Sequence, residues 1–248
     1  MDSIWTFLLF SGLLIVFSLI GAYLPRAKEM SEESIHLMIA LSAGLFLGLL
    51  FIILIPEGLE ECDEGDIQSH YAMMVLALGF IIVMVIESYV GHNGVHTHDI
   101  GHATLFIGLG IHAACDGLAL AALFMAGEAV GVLATVGLCI HKFADLFSLS
   151  SATLLSNKDN KKAMSRLIAF SLITPISGLI CFLIFSDLEV EGLLGIPLMI
   201  AAGTMAYVIS CDILPECFHE GKNFRTVSMI ILGIAVMAAF FVLFPHVH

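Results

Sequence analysis

Eight uninterrupted apolar runs leave this chain few folds to choose from: Ile4 to Leu24, Ile35 to Pro56, Tyr71 to Val90, Ala103 to Ala126, Ala129 to Leu155, Leu167 to Ser186, Leu193 to Pro215 and Val227 to Phe244. A hydrocarbon core about 30 Å thick takes roughly 20 residues of helix to cross, and each run is of that order. Inside lipid every backbone amide must be satisfied within its own helix or within a closed barrel, and continuous apolar runs lack the alternation of barrel strands. The expectation is an all-α integral membrane protein with eight transmembrane helices. Composition agrees, because 59% of residues are hydrophobic, 12% are charged and the mean hydropathy is +1.03, far from a soluble domain. The connections are too short to hold a soluble domain, so residues 1–248 read as a single transmembrane domain. No basic residue precedes the first span, and that span is too long for the apolar region of a signal peptide, which predicts that it is retained.

The net charge of −13 decides little, but the positions of the nine basic residues decide orientation. Arg26 and Lys28 fall between spans 1 and 2, Lys158, Lys161, Lys162 and Arg166 between spans 5 and 6, and Lys222 and Arg225 between spans 7 and 8. Short cytoplasmic loops carry the Lys/Arg excess. Both termini are therefore expected outside, on the extracytoplasmic face of the cell (inner) membrane. Acidic stretches at Glu57 to Asp66 and at Asp187, Glu189 and Glu191 then lie outside, as cation attractors or as ordinary solvated loop charge. The six cysteines show no paired spacing and indicate no disulfide framework.

Two stretches read as a duplication. AGLFLGLLFIILIPEGLEE, Ala43 to Glu61, aligns without a gap on AGTMAYVISCDILPECFHE, Ala202 to Glu220, matching Ala-Gly, Pro-Glu and a final Glu. Span 2 starts at the cytosol and span 7 outside, so the copies run in opposite directions. Such inverted repeats are typical of secondary transporters, whose substrate site lies near the midplane at the repeat interface. A 3+2+3 arrangement follows, with helices 1–3 mirrored by helices 6–8 around a central pair, spans 4 and 5.

That central pair carries the unusual residues. Span 4 holds His112 and Asp116, and span 5 holds His141 and Asp145, each pair four residues apart and so on one helix face. Two such helices packed together bring two imidazoles and two carboxylates to one point, a donor set suited to zinc and neighbouring divalent metals. Small residues around them, including Gly108, Gly110, Ala113, Ala114 and Gly117, let backbones approach closely, so packing and ligation ask for the same face. The competing reading of a lone membrane His is an interhelical hydrogen bond. Two HxxxD pairs on adjacent spans favour a metal, because an Asp at mid-bilayer costs about 2.5–3.5 kcal/mol and needs a cation.

IHAACDGLALAA resembles the fourth-helix signature of the ZIP (Zrt/Irt-like) metal transporters, and HKFADLFSLSS their fifth-helix motif. Eight spans, outside termini and a His-bearing third loop fit the same family. The resemblance implies a secondary transporter that moves zinc, with iron, manganese and cadmium as further candidates, into the cytosol by alternating access, with His112, Asp116, His141 and Asp145 at the metal. The chain departs from binuclear members at Ala113, Lys142 and Thr174, where oxygen ligands of a second metal would be expected. A mononuclear site follows. Lys142 substitutes for the second metal: with two carboxylates it leaves the empty site at a formal −1 instead of −2, stabilising the empty carrier and weakening metal retention.

Other residues are pathway candidates: Glu57, Glu87, Asp212 and Glu216 within or beside spans, and a metal-receiving cytosolic loop formed by His92, His96, His98 and His102. The alternatives are interface or capping roles for the acids and incidental histidines in a polar loop. No phosphate loop or basic-aromatic surface suggests ATP or nucleic acid. The expected partners are divalent metal ions and the lipid bilayer, with a homodimer left open, and no resident cofactor is expected. An intramembrane zinc-dependent lipid hydrolase is the alternative function, which the inverted repeat and Lys142 fit poorly.

Overall fold

The computed structural model describes residues 3–27, 31–93, 100–126, 128–155, 160–186, 194–218 and 224–243. Among the described residues every regular element is helical: α1 (Ser3–Ala27), α2 (Glu32–Gly48), α3 (Ile55–Glu64), α4 (Ser69–Asn93), α5 (Ile100–Ala126), α6 (Glu128–Leu155), α7 (Asn160–Ser171), α8 (Ile173–Ser186), α9 (Gly195–Val208), α10 (Leu214–Cys217) and α11 (Phe224–Leu243). Two π-helical turns, Leu49–Leu54 and Ile209–Ile213, join α2 to α3 and α9 to α10. Among the described residues, six helical stretches are long and apolar enough to cross a bilayer: Ile4–Ala27, His36–Glu64, Ser69–Tyr89, Lys161–Ile184, Gly195–Ile213 and Phe224–Leu243. The helices α5 and α6 carry the two His/Asp pairs and Lys142, and α5 contains a shorter apolar stretch at Leu109–Met125.

The π turns have a common cause. Pro56 and Pro215 each lack an N–H, and the ring of each presses on the carbonyl four residues earlier, so the ladder must widen ahead of it. In both places the residue before the proline donates five residues back, Ile55 N–H to the Leu50 carbonyl and Leu214 N–H to the Ile209 carbonyl. These positions coincide in the ungapped alignment of Ala43–Glu61 with Ala202–Glu220. The repeated Pro-Glu thus encodes a repeated backbone irregularity.

Packing follows the same register. The most extensive contacts pair α1 with α6, α2 with α11, α5 with α8 and α4 with α9; α5 also meets α6 and α9, and α2 meets α6. Exchanging the first three spans for the last three, and α5 for α6, turns each of the four extensive pairings into another one on that list. The crossings show it at single-residue resolution. A Cβ at Gly44 would strike the Ile230 carbonyl, and one at Gly203 the Leu76 carbonyl; reciprocally, Gly233 lies against the Leu41 carbonyl and Gly79 against the Ile200 carbonyl. Gly44 aligns with Gly203 and Leu41 with Ile200 in the repeat, while Ile230 and Gly233 stand to each other as Leu76 and Gly79 do. Glycine is required at these crossings because the backbones touch. The main core, with Phe46, Leu146, Leu149, Leu198 and Met205 fully buried, lies among α2, α5, α6 and α9. Lipid-facing residues such as Met74, Val85, Ile180 and Ile231 point away from it.

Gly44→Ala and Gly203→Ala are each expected to destabilise by about 1–3 kcal/mol, the usual cost of overpacking, and to lower the thermal midpoint of the detergent-solubilised protein. At Gly12 a Cβ meets nothing within 4 Å, so Gly12→Ala should leave the midpoint unchanged or slightly raised. Equal effects at all three positions would contradict the crossings.

Candidate metal centre

The i, i+4 spacing sets His112 and Asp116 on one face of α5, and His141 and Asp145 on one face of α6. The two faces meet. His112 Nε2 lies 3.2 Å from His141 Nε2, and Asp116 Oδ2 lies 3.3 Å from His112 Nε2 and 3.1 Å from His141 Nε2. Asp145 Oδ2 lies 3.5 Å from His141 Nε2. One donor atom from each of the four falls within 4.8 Å of the others, and all four residues are buried. A tetrahedral ion with bonds of about 2.0–2.2 Å separates its ligands by roughly 3.3–3.6 Å, so these contacts are already near the edges of such a tetrahedron. Imidazole nitrogen with carboxylate oxygen is a donor set for zinc and similar divalent ions.

Lys142, only 2% exposed, reaches the same oxygens. Its Nζ lies 2.5 Å from Asp116 Oδ2 and 2.7 Å from Asp145 Oδ2. The sequence placed Lys142 within reach of Asp145; the bridge to Asp116 on the other helix is a tertiary fact. Two carboxylates in low dielectric repel one another, and an ammonium between them supplies the compensating charge. Buried polar atoms still lack partners at His112 Nδ1, His141 Nδ1 and Asp145 Oδ1. His112 and Asp145 also line a narrow crevice, too tight for a water molecule, together with Phe46, Met205, Val208, Ile209 and Ile213.

The small residues of α5 serve a different neighbour from the one the spacing suggested. Ala113 and Gly117, one position along from His112 and Asp116, face α8: the Thr174 hydroxyl donates to the Ala113 carbonyl at 2.8 Å, and a Cβ on Gly117 would strike Ser177 Oγ and the Thr174 carbonyl. Close packing and the His/Asp cluster therefore occupy adjacent faces. Thr174 and Ala113, two of the family-departing positions, spend their polar capacity on each other.

The remaining sequence candidates scatter. Glu87 on α4 is buried, hydrogen-bonded to Tyr207 of α9, and has Oε1 without a partner; Asp212, in the second π turn, has a buried unpartnered Oδ2 near it. Cys211 shares the Tyr207 hydroxyl. These groups form a second polar neighbourhood, separate from the four-residue cluster. Glu57 is in the first turn of α3 and Glu216 in α10. His92 lies on α4 and His102 on α5, whereas His96 and His98 fall outside the described residues. Sequence reasoning missed Phe46, whose ring stands edge-on to that of His141 at 4.7 Å and 73°, and Met205 and Tyr207. The available signal was the repeat, in which Phe46 and Met205 occupy the same position.

Comparison with known proteins follows the same lines. Residues 91–240 match the model of the ZIP zinc transporter family. The chain is 27% identical to zinc transporter ZIP9 of Xenopus tropicalis, covering 91% of this chain and 89% of the relative. It is 28% identical to zinc transporter ZIP9 of Micropogonias undulatus over 86% of each. Human zinc transporter ZIP2 is 24% identical over 82% of this chain and 84% of its own length.

Replacing Lys142 tests the charge balance. Lys142→Met strands two buried carboxylates, an expected loss of about 3–5 kcal/mol, visible as a lower thermal midpoint in metal-free detergent. Added zinc should recover much of that loss by binding the folded state. A midpoint that neither falls nor responds to zinc would mean that the carboxylates do not depend on a cation.

Proposed function

Because this chain belongs to the ZIP zinc transporter family, we propose that it carries zinc across a membrane through a single-ion site formed by His112, Asp116, His141 and Asp145. It is a multi-pass transporter and not an enzyme, which sets the lipid-hydrolase alternative aside. The convergence of four buried donor atoms from two HxxxD pairs carries this reading. Imidazole and carboxylate together hold a divalent ion without fixing which one, so iron, manganese and cadmium remain cargo candidates beside zinc.

The full topology we propose has eight membrane-spanning helices in a 3+2+3 arrangement, both termini extracytoplasmic, in the cell (inner) membrane. Helices 1–3 mirror helices 6–8 in the inverted sense. The matched π turns and the reciprocal glycine crossings support this repeat, and the placement of eight of nine basic residues supports the orientation. An inverted repeat around a central site lends itself to alternating access, with net movement into the cytosol.

Lys142 is the main device that keeps the site mononuclear. Its ammonium touches the two carboxylate oxygens that would ligate the ion, so an arriving cation competes with it. When the ion leaves, the ammonium compensates the carboxylates again. The empty carrier is thereby stabilised and retention of the ion weakened. Glu87, Asp212 and Glu216 are proposed to line the exit route, with His92, His96, His98 and His102 receiving the ion beyond it, and Glu57 to lie at the entrance. In the repeat register the counterpart of Asp212 is Ile53 and that of Cys211 is Ile52, so at these two positions the second copy is polar where the first is apolar. A homodimer is compatible with this reading.

Proteoliposomes carrying the purified protein should accumulate zinc, and His112→Ala should reduce the initial rate at least about tenfold, the loss expected when one ligand of a four-donor site is removed. Zinc binding without flux would overturn the transport reading. Metal analysis of the loaded protein should find one equivalent at this site, and Lys142→Ala should bind it more tightly once folded protein is recovered; two equivalents in the cluster, or unchanged affinity, would contradict the role given to Lys142.

A further inference from the structure

The crevice beside the His/Asp cluster carries heteroatoms at only three side chains, His112, Asp145 and Met205; Phe46, Val208, Ile209 and Ile213 complete its lining. His112 Nδ1 and Asp145 Oδ1 are buried without partners. Lys142 holds the other carboxylate oxygen of Asp145. The unspent capacity of the cluster therefore includes a residue of each helix at the crevice, and Met205, 1% exposed, is the remaining donor there.

The repeat gives a second line to the same residue. Met205 occupies in the second copy the position that Phe46 occupies in the first, and His112 corresponds to His141 in the two HxxxD pairs. Phe46 packs edge-on against the His141 ring, α2 meets α6, and α5 meets α9. The pairing of Phe46 with His141 thus has its counterpart in Met205 beside His112. One half of the pair is a hydrocarbon ring and the other a polarizable thioether on an unbranched, adaptable stem.

We infer that Met205 is a specificity-determining residue of the transport site, its thioether favouring soft and borderline cations such as cadmium and zinc over hard ones such as manganese. This rests on the transport reading above. His2Asp2 is chemically permissive, whereas a neutral sulfur donor stabilises a soft ion and contributes little to a hard one. Asp145 and His112 attract any divalent ion; Met205 sorts among them.

The test uses the full chain in proteoliposomes with cadmium and manganese in competition. Met205→Leu keeps the volume and removes the sulfur. The cadmium-to-manganese uptake ratio should fall about fivefold, mostly through slower cadmium entry. Alongside, X-ray absorption at the cadmium edge on wild-type protein loaded with one equivalent should show a sulfur scatterer beside nitrogen and oxygen, lost in Met205→Leu. An unchanged ratio in a folded variant, or a first shell of nitrogen and oxygen alone in the wild type, overturns the assignment. If Met205→Leu does not fold, the wild-type spectrum decides it. If the wild type moves neither metal, the transport reading fails while the spectrum still tests the thioether.

Discussion

Two carboxylates buried side by side between α5 and α6 are the constraint on which the rest of this structure depends. Asp116 and Asp145 cannot both stay ionised in low dielectric without a positive partner, and Lys142 bridges them. The two imidazoles converge on the same oxygens, so the site is formed with a cation already in it, one supplied by the chain itself. A carrier must be stable both with and without its cargo. On the proposed transport reading an internal ammonium meets that demand, since any arriving divalent ion contends with a charge instead of entering a void.

Backbone contact between helices adds to the cluster's own interactions in holding this arrangement together. Glycines at the crossings of α2 with α11 and of α4 with α9 bring helix axes close, and α5 is seated on α8 through Ala113, Gly117 and Thr174. At the far end of α6, Arg26 of α1 donates to Ser150 Oγ at 3.0 Å and to Thr153 Oγ1 at 2.7 Å, while Ser150 donates to the Ala22 carbonyl. In lipid there is no hydrophobic drive between helices, so dispersion at glycine crossings and interhelical hydrogen bonds take its place. The two prolines that widen the ladder into π turns fall in both copies of the repeat, and the second of these turns presents Cys211 and Asp212 beside Tyr207 and Glu87.

The helical, apolar character of the chain was legible because run length alone separates a membrane-crossing helix from a soluble one. The HxxxD pairs were legible because helical periodicity converts spacing into a shared face. Proline and glycine in register exposed the repeat. What was not legible was the direction in which each side chain points around its helix. Small residues next to His112 and Asp116 suggested a close α5–α6 contact, yet they pack on α8, since a shift of one residue rotates the face by about 100°. The places of Phe46 and Met205 beside the cluster were not legible for the same reason.

Sequence by itself therefore determined the all-helical, multi-pass class of fold and pointed to the Pro-Glu match and to four candidate ligands, because these follow from local periodicity and from the cost of placing charge in lipid. Tertiary structure decided which atoms meet: that Asp116 Oδ2 is shared by both imidazoles and by the ammonium, that Lys142 reaches across to α5 as well as pairing within α6, and that a thioether lies at the crevice. Those facts depend on the angle and rotation at which helices cross. Backbone contacts far from the site in sequence set that geometry, and no local pattern contains it.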